Sequence, residues 1–190
     1  MKLIIASNNK GKIREIKAIL GEKFEEIVSL SEAGIDHETI EDGTTFMENA
    51  RKKAREIAEI SGCFAIADDS GICVQALGGA PGIFSARFCG YHGDDEANNR
   101  LLLEKLKDKE NKKAHYTAAI SLCSPDGVVA EAEGYMFGEI TDNPRGSGGF
   151  GYDPLFYLPE KGCTAAELSA EEKNKISHRA NALKELLKKL

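Results

Sequence analysis

Two long extended runs, "AHYTAAISLCS" (residues 114–124) and "VVAEAEGYMFGEI" (residues 128–140), flank Pro125-Asp126-Gly127. Proline presets φ, aspartate bonds its own backbone and glycine accepts a positive φ, so this tripeptide reverses the chain and the two runs pair as a hairpin. The first half of the chain is built differently. Lys2-Leu3-Ile4-Ile5 reads as a buried strand, and Ile13, Ile16, Ile19 and Leu20 recur at helical spacing. Glu26-Ile27-Val28 reads as a second strand. Thr44 or Thr45 caps a helix that runs to about Ser61, with Gly62 as its stop signal. "CFAIA" (residues 63–67) is a short buried strand, which Asp68-Asp69-Ser70-Gly71 is expected to end before extended structure resumes at Ile72-Cys73-Val74. Asp94 and Asp95 open a further helix through Leu106. Strands joined by helices, followed by a long hairpin, predict an α/β fold with a mixed sheet and flanking helices.

Length and charge narrow the function. A chain of 190 residues, 42% hydrophobic, suffices for a single domain, residues 1–190, with room for two lobes. The net charge of −6 argues against general nucleic-acid binding, so any positive charge for a phosphate must be gathered locally. No apolar run approaches a membrane span and the first residues carry no signal-peptide pattern, so neither a membrane nor an exported location is expected. Cys63, Cys73, Cys89, Cys123 and Cys163 are odd in number and lack metal-ligand spacing, which reads as free thiols in a reducing cytoplasm.

Several stretches carry chemistry. The loop Ser7-Asn8-Asn9-Lys10-Gly11-Lys12 joins the first strand to its helix, where free backbone N–H groups and the positive helix end suit an anion. It is only partly like a Walker A loop, because Ile13 stands where the Mg²⁺-binding hydroxyl would be. A metal would then be held elsewhere. Asp68 and Asp69, adjacent carboxylates at the end of a buried strand, need a compensating cation, and Glu41-Asp42 could add a further ligand. A turn cap and a solvated loop are the plainer readings of the same residues. On the second helix Lys53 falls within the stripe of Phe46, Ala50 and Ile57, with Asn49 at its border. Either it snorkels to water or it is aimed at an anion. In "GGFGYDP" glycines free the backbone, and Phe150 or Tyr152 could stack on a planar ring or fold back on the core. The last stretch is best read with a break near Ile176, Ser169 and Glu172 capping a short helix before it and Ser177 a final one. His178 and Arg179 then stand at a helix N-terminus, and Leu190 ends that helix.

Together "SNNKGKIREI", "TTFMENARKKA", "ADDSGICVQALGGAPGIFSARF", "GGFGYDPLF" and "TAAELSAEEKNKISHRANAL" resemble, in order, the motifs of the inosine triphosphate pyrophosphatase family. The resemblance implies a long curved mixed sheet with flanking helices, forming two lobes around a deep cleft. It implies a homodimer that needs Mg²⁺ and hydrolyses ITP, dITP or XTP to the monophosphate and pyrophosphate. By motif, Ser7 to Lys12 bind the triphosphate, Glu41 and Asp69 the metal, and Asp69 also matches the proton acceptor. Lys53 and Ser70 contact substrate, and Phe150, Gly151, Tyr152, Asp153, Lys173, His178 and Arg179 surround the base and sugar. Two rivals remain at this level: a Maf-like pyrophosphatase for modified pyrimidine triphosphates, and a nucleotide sensor without catalysis. The "SHR" segment speaks against the first, and the carboxylates gathered with Lys53 against the second.

Overall fold

The computed structural model describes residues 2–21 and 23–190. Seven strands are β1 (Lys2–Ile5), β2 (Glu26–Ser29), β3 (Phe64–Val74), β4 (Lys113–Ser124), β5 (Gly127–Ile140), β6 (Phe156–Leu158) and β7 (Cys163–Thr164). The helices are α1 (Lys10–Leu20), α2 (Phe46–Ser61), α3 (Asp95–Leu106), α4 (Ala170–Ile176) and α5 (His178–Leu187). The sheet order is β2-β1-β3-β4-β5-β6-β7, mixed as expected: β1 lies parallel to β2 and β3, while β6 is antiparallel to β5 and β7.

Two compact units share these elements, each assembled from separate stretches of chain. Unit 1 takes Met1–Asp69, Ala118–Gly134 and His178–Leu190; unit 2 takes Ser70–Thr117 and Tyr135–Ser177. In unit 1 successive side chains of β1 point to opposite faces. Leu3 and Ile5 bury against Ile16 and Leu20 of α1 and Leu183 and Leu186 of α5, whereas Ile4 buries with Ala54 and Ile57 of α2. Burial on both faces is why this strand reads as an unbroken apolar run. At Gly134 of β5 an added Cβ would fall on the backbone of His178 and Ala182, so only glycine lets α5 lie this close. Unit 2 has its own core, in which Ile72, Leu102, Met136, Tyr152 and Phe156 meet.

The caps follow the sequence. Thr45 accepts from Glu48 N and the Glu48 side chain returns to the Thr45 backbone, a capping box, and Gly62 ends α2 at φ 65°. Ser169 and Glu172 form the same box on α4, and the break falls at Ser177. Two expectations are corrected. β3 is continuous from Phe64 to Val74, so Asp68 to Gly71 lie inside a strand. Strand propensity disfavours those residues, but it yields to tertiary partners: Asp68 is paired on both oxygens, and Gly71 faces Ser85 where a Cβ has no room. The last helix also stops at Leu187 rather than Leu190.

Candidate functional site

Unit 1 gathers its charges around β3. Because strand neighbours alternate, Asp68 follows Ile66 onto the α1–α5 face and Asp69 follows Ala65 and Ala67 onto the α2 face. Each carboxylate therefore meets a different set of cations. Asp68 accepts from Arg179 Nε at 3.0 Å and Nη2 at 3.2 Å, and Lys12 Nζ lies 2.7 Å from its Oδ1. Arg179 turns its remaining terminal nitrogen to Glu15. Burial pushes the Asp68 pKa up, but Arg179 and Lys12 outweigh it and hold the carboxyl well below its usual range. Burial likewise opposes the charge on Arg179, and Asp68 with Glu15 outweighs that and raises its pKa.

On the other face Lys53 Nζ donates to Glu41 at 2.5 Å, to the Asp68 carbonyl at 3.0 Å and to Asp69 at 3.4 Å. The lysine inside the apolar stripe is thus aimed at anions, and its side chain is only 13% exposed. Burial opposes its charge, but Asp69 and Glu41 prevail and raise its pKa. Asp69 goes the other way: burial raises its pKa above the usual value, Lys53 and Lys12 oppose that rise, and Glu41 reinforces it. Asn49 Nδ2 donates to Asp69 at 3.1 Å, while its Oδ1 accepts from Gly43 N at 2.8 Å. That bond ties the loop carrying Glu41 to the start of α2.

The first loop sits where expected. Asn9 is the N-cap of α1, accepting from Lys12 N at 3.0 Å, and Ser7 Oγ accepts from Asn9 N at 3.1 Å. Asn8, Asn9 and Lys10 are exposed, Ser7, Gly11 and Lys12 half-buried. Among the described residues no three His, Cys, Asp or Glu side chains gather into a metal cage. Glu41 and Asp69, two hard oxygen donors around Lys53, nevertheless suit Mg²⁺, which takes one or two carboxylates and completes its shell with water and phosphate oxygens.

Unit 2 holds the glycine-rich loop. Asp153 Oδ2 accepts from Phe150 N at 2.9 Å and from Lys173 Nζ at 2.5 Å. The same ammonium lies 4.6 Å from the Phe150 ring centre. Phe150 is half-buried, with the Lys173 ammonium over its ring. Tyr152 is buried: its ring packs in the core and its hydroxyl donates to Ser85 O at 2.7 Å, so of the two aromatics only Phe150 is partly exposed. Ser70 stands half-buried on β3 at the start of this unit.

His178 and Arg179 do begin α5, but both are buried in unit 1, and Arg179 spends its donors on Asp68 and Glu15. The sequence reading singled out neither Glu15 nor, as a site residue, Asn49. Glu15 carries a signal in hindsight, since it lies one helical turn from Lys12 and beside Ile16 on the buried face of α1.

Buried carboxylates within β3, paired with lysines from the first turn of α1 and from α2, mark the site of a mixed-sheet α/β protein. The chain belongs to the Ham1 family, whose model matches residues 3–189. It is 50% identical over 184 residues to a dITP/XTP pyrophosphatase of Geobacter sulfurreducens, covering 96% of this chain and 92% of that protein. It is also 50% identical over 195 residues to a dITP/XTP pyrophosphatase of Leuconostoc mesenteroides, covering 100% and 96%. Among solved structures the Staphylococcus aureus Ham1 protein superposes with a TM-score of 0.86 at 43% identity, covering 98% of this chain and 96% of its own. A Coxiella burnetii HAM1 protein gives 0.87 at 38%, with the same coverage.

Proposed function

We propose that this chain is a Mg²⁺-dependent pyrophosphatase of non-standard purine nucleoside triphosphates, converting ITP, dITP or XTP to the monophosphate and pyrophosphate. The observation that carries this reading is the cluster of Lys12 and Lys53 with Glu41, Asp68 and Asp69, in a chain whose near-full-length relatives are named dITP/XTP pyrophosphatase.

We assign the triphosphate to Ser7, Asn8, Asn9, Lys10, Gly11 and Lys12, with Lys53 and Ser70 as further contacts and Glu41 and Asp69 as holders of Mg²⁺. The cation supplies neutralising charge to the phosphate oxygens when bound. Lys12 and Lys53 add fixed positive charge in a water-poor site, where it counts most. A water oxygen attacks the α-phosphorus in line, the bond to the bridging α–β oxygen breaks, and pyrophosphate departs with that electron pair. Asp69, which matches the family's proton acceptor, takes the proton from the water. Asp68 stays ionised and orients Lys12. For the base we assign Phe150 as the stacking surface, with Gly151, Asp153 and Lys173 beside it, and His178 and Arg179 keep the base-and-sugar role that their motif implies. Donors that reward a carbonyl at the six position leave adenine mispaired.

We read the working form as a cytoplasmic homodimer. Five free cysteines and the lack of any described helix long and apolar enough to cross a membrane support the location. Light scattering should return twice 20.6 kDa. The function is tested by measuring pyrophosphate and orthophosphate released from ITP, dITP, XTP, GTP, ATP and dUTP, with Mg²⁺ and with EDTA. Mg²⁺-dependent pyrophosphate from ITP, dITP and XTP supports it. Orthophosphate, or a pyrimidine preference, overturns it.

A further inference from the structure

The glycine-rich loop of unit 2 is anchored from two sides. Asp153 and Lys173 hold it from one. From the other, the start of α3 grips a single residue through both its backbone N–H and its C=O: Asp95 Oδ2 accepts from Gly151 N at 2.8 Å, and Asn99 Nδ2 donates to Gly151 O at 3.1 Å. Asp95 and Asn99 stand four residues apart, one above the other on the helix face. Gly151 has φ 62° and Gly149 φ 71°, so the residues on both sides of Phe150 are those with the most backbone freedom to lose. A loop of that composition does not hold an aromatic ring in place by itself. Asn99 also leaves its Oδ1 buried without a hydrogen-bond partner. Reversing the amide would set that oxygen against the Gly151 carbonyl, so the donor contact is kept at the expense of an unmet acceptor. The helix is itself pinned nearby: Asn98, buried, accepts from Cys89 N at 2.8 Å, and Asp94 caps the first turn.

We propose that Asp95 and Asn99 are positioning residues for purine binding: by clamping Gly151 at both its N–H and its C=O they fix the Phe150 ring against which the base stacks. This rests on the proposed function, and neither residue is assigned a contact with the nucleotide. A stacking contact made equally in the ground state and the transition state is uniform binding, so its loss raises KM and spares kcat.

The test is steady-state hydrolysis of ITP by the parent, Asp95→Ala, Asn99→Ala, Asp95→Asn, Phe150→Ala and the Asp95→Ala/Phe150→Ala double variant. Asp95→Ala and Asn99→Ala are each expected to raise KM about tenfold, the loss that goes with one good hydrogen bond, with kcat little changed. Asp95→Asn keeps an acceptor oxygen and should restore much of the parent KM, which a merely charge-based role would not allow. If Asp95 acts through Phe150, the double variant is no worse than Phe150→Ala alone. Unchanged KM in the alanine variants, a loss confined to kcat, or additive effects in the double variant would overturn the proposal. A parent that releases no pyrophosphate from ITP, dITP or XTP would instead overturn the function on which it rests. Asp95 is exposed and its removal leaves no cavity, so that variant carries the test even if Asn99→Ala fails to fold.

Discussion

Asp69 and Arg179 are both buried in unit 1, yet removing each has a different consequence. Asp69→Asn keeps the shape and an oxygen to accept from Asn49, and Lys53 retains Glu41. What it loses is the ability to take a proton and the negative charge offered to Mg²⁺. Turnover of ITP should fall by about 10²–10⁴-fold, the usual share of a general base, while the melting temperature barely moves. Near-normal kcat would remove Asp69 from the proton-acceptor role. Arg179→Ala removes the cation that Asp68 and Glu15 share and strands carboxylate charge in the interior. Breaking a buried pair from one side costs about 3–5 kcal/mol, so urea unfolding should show a loss of that order. Arg179→Lys should recover only part of it, because one ammonium cannot fork to two carboxylates as a guanidinium does. A stable Arg179→Ala protein that has lost its preference for ITP over ATP would instead place Arg179 at the base alone.

At the scale of elements, the meeting of β5 and α5 is the tightest constraint in unit 1. Gly134 lies against the His178 and Ala182 backbone, which cannot move aside as a flexible side chain could. Overpacking of this kind costs about 1–3 kcal/mol or more, and Gly134→Ala should therefore lower the denaturation midpoint and, by displacing the start of α5, weaken the Arg179–Asp68 pairing. Thermal melts of Gly134→Ala alone and combined with Arg179→Lys check this, since coupled sites give a double variant that is not the sum of the two. Elements with local signals were legible beforehand. The Thr45 and Ser169 capping boxes, the Gly62 stop, the hairpin at Pro125-Asp126 and the break at Ser177 all rest on residues close in sequence. The two ends of β3 were legible but its continuity was not, because what keeps Asp68 to Gly71 extended is distant in the chain: Arg179, Lys12 and Ser85. The opposite orientation of Asp68 and Asp69 was hidden for the same reason, since only an unbroken strand sends neighbours to opposite faces. Tyr152 illustrates a different gap, a ring whose two possible uses have the same local sequence.

Across the molecule, charge decides whether an acidic protein can hold a triphosphate at all. The chain carries −6 overall, so no general attraction draws the nucleotide in, and long-range steering works against it. Locally, Lys12, Lys53 and Arg179 face Glu15, Glu41, Asp68 and Asp69, three cations against four carboxylates, which leaves the buried cluster at −1. Each lysine is already neutralised by a carboxylate within 3.4 Å or less. A triphosphate added to such a cluster would meet net repulsion in a low-dielectric setting, where it is felt strongly. Were Glu41 and Asp69 to hold a divalent cation, as proposed, the cluster would turn positive and Lys53 would be released to phosphate oxygens. The expected outcome is that EDTA abolishes ITP binding as well as turnover. Isothermal titration of a non-hydrolysable ITP analogue should give an affinity at least about a hundredfold weaker in EDTA than in Mg²⁺, a difference of about 2.7 kcal/mol. Glu41→Gln should narrow that gap by weakening binding in Mg²⁺ while improving it slightly in EDTA, because one negative charge has gone. Equal affinity with and without Mg²⁺ would mean that the lysines alone neutralise the triphosphate and that Glu41 serves only to hold Lys53.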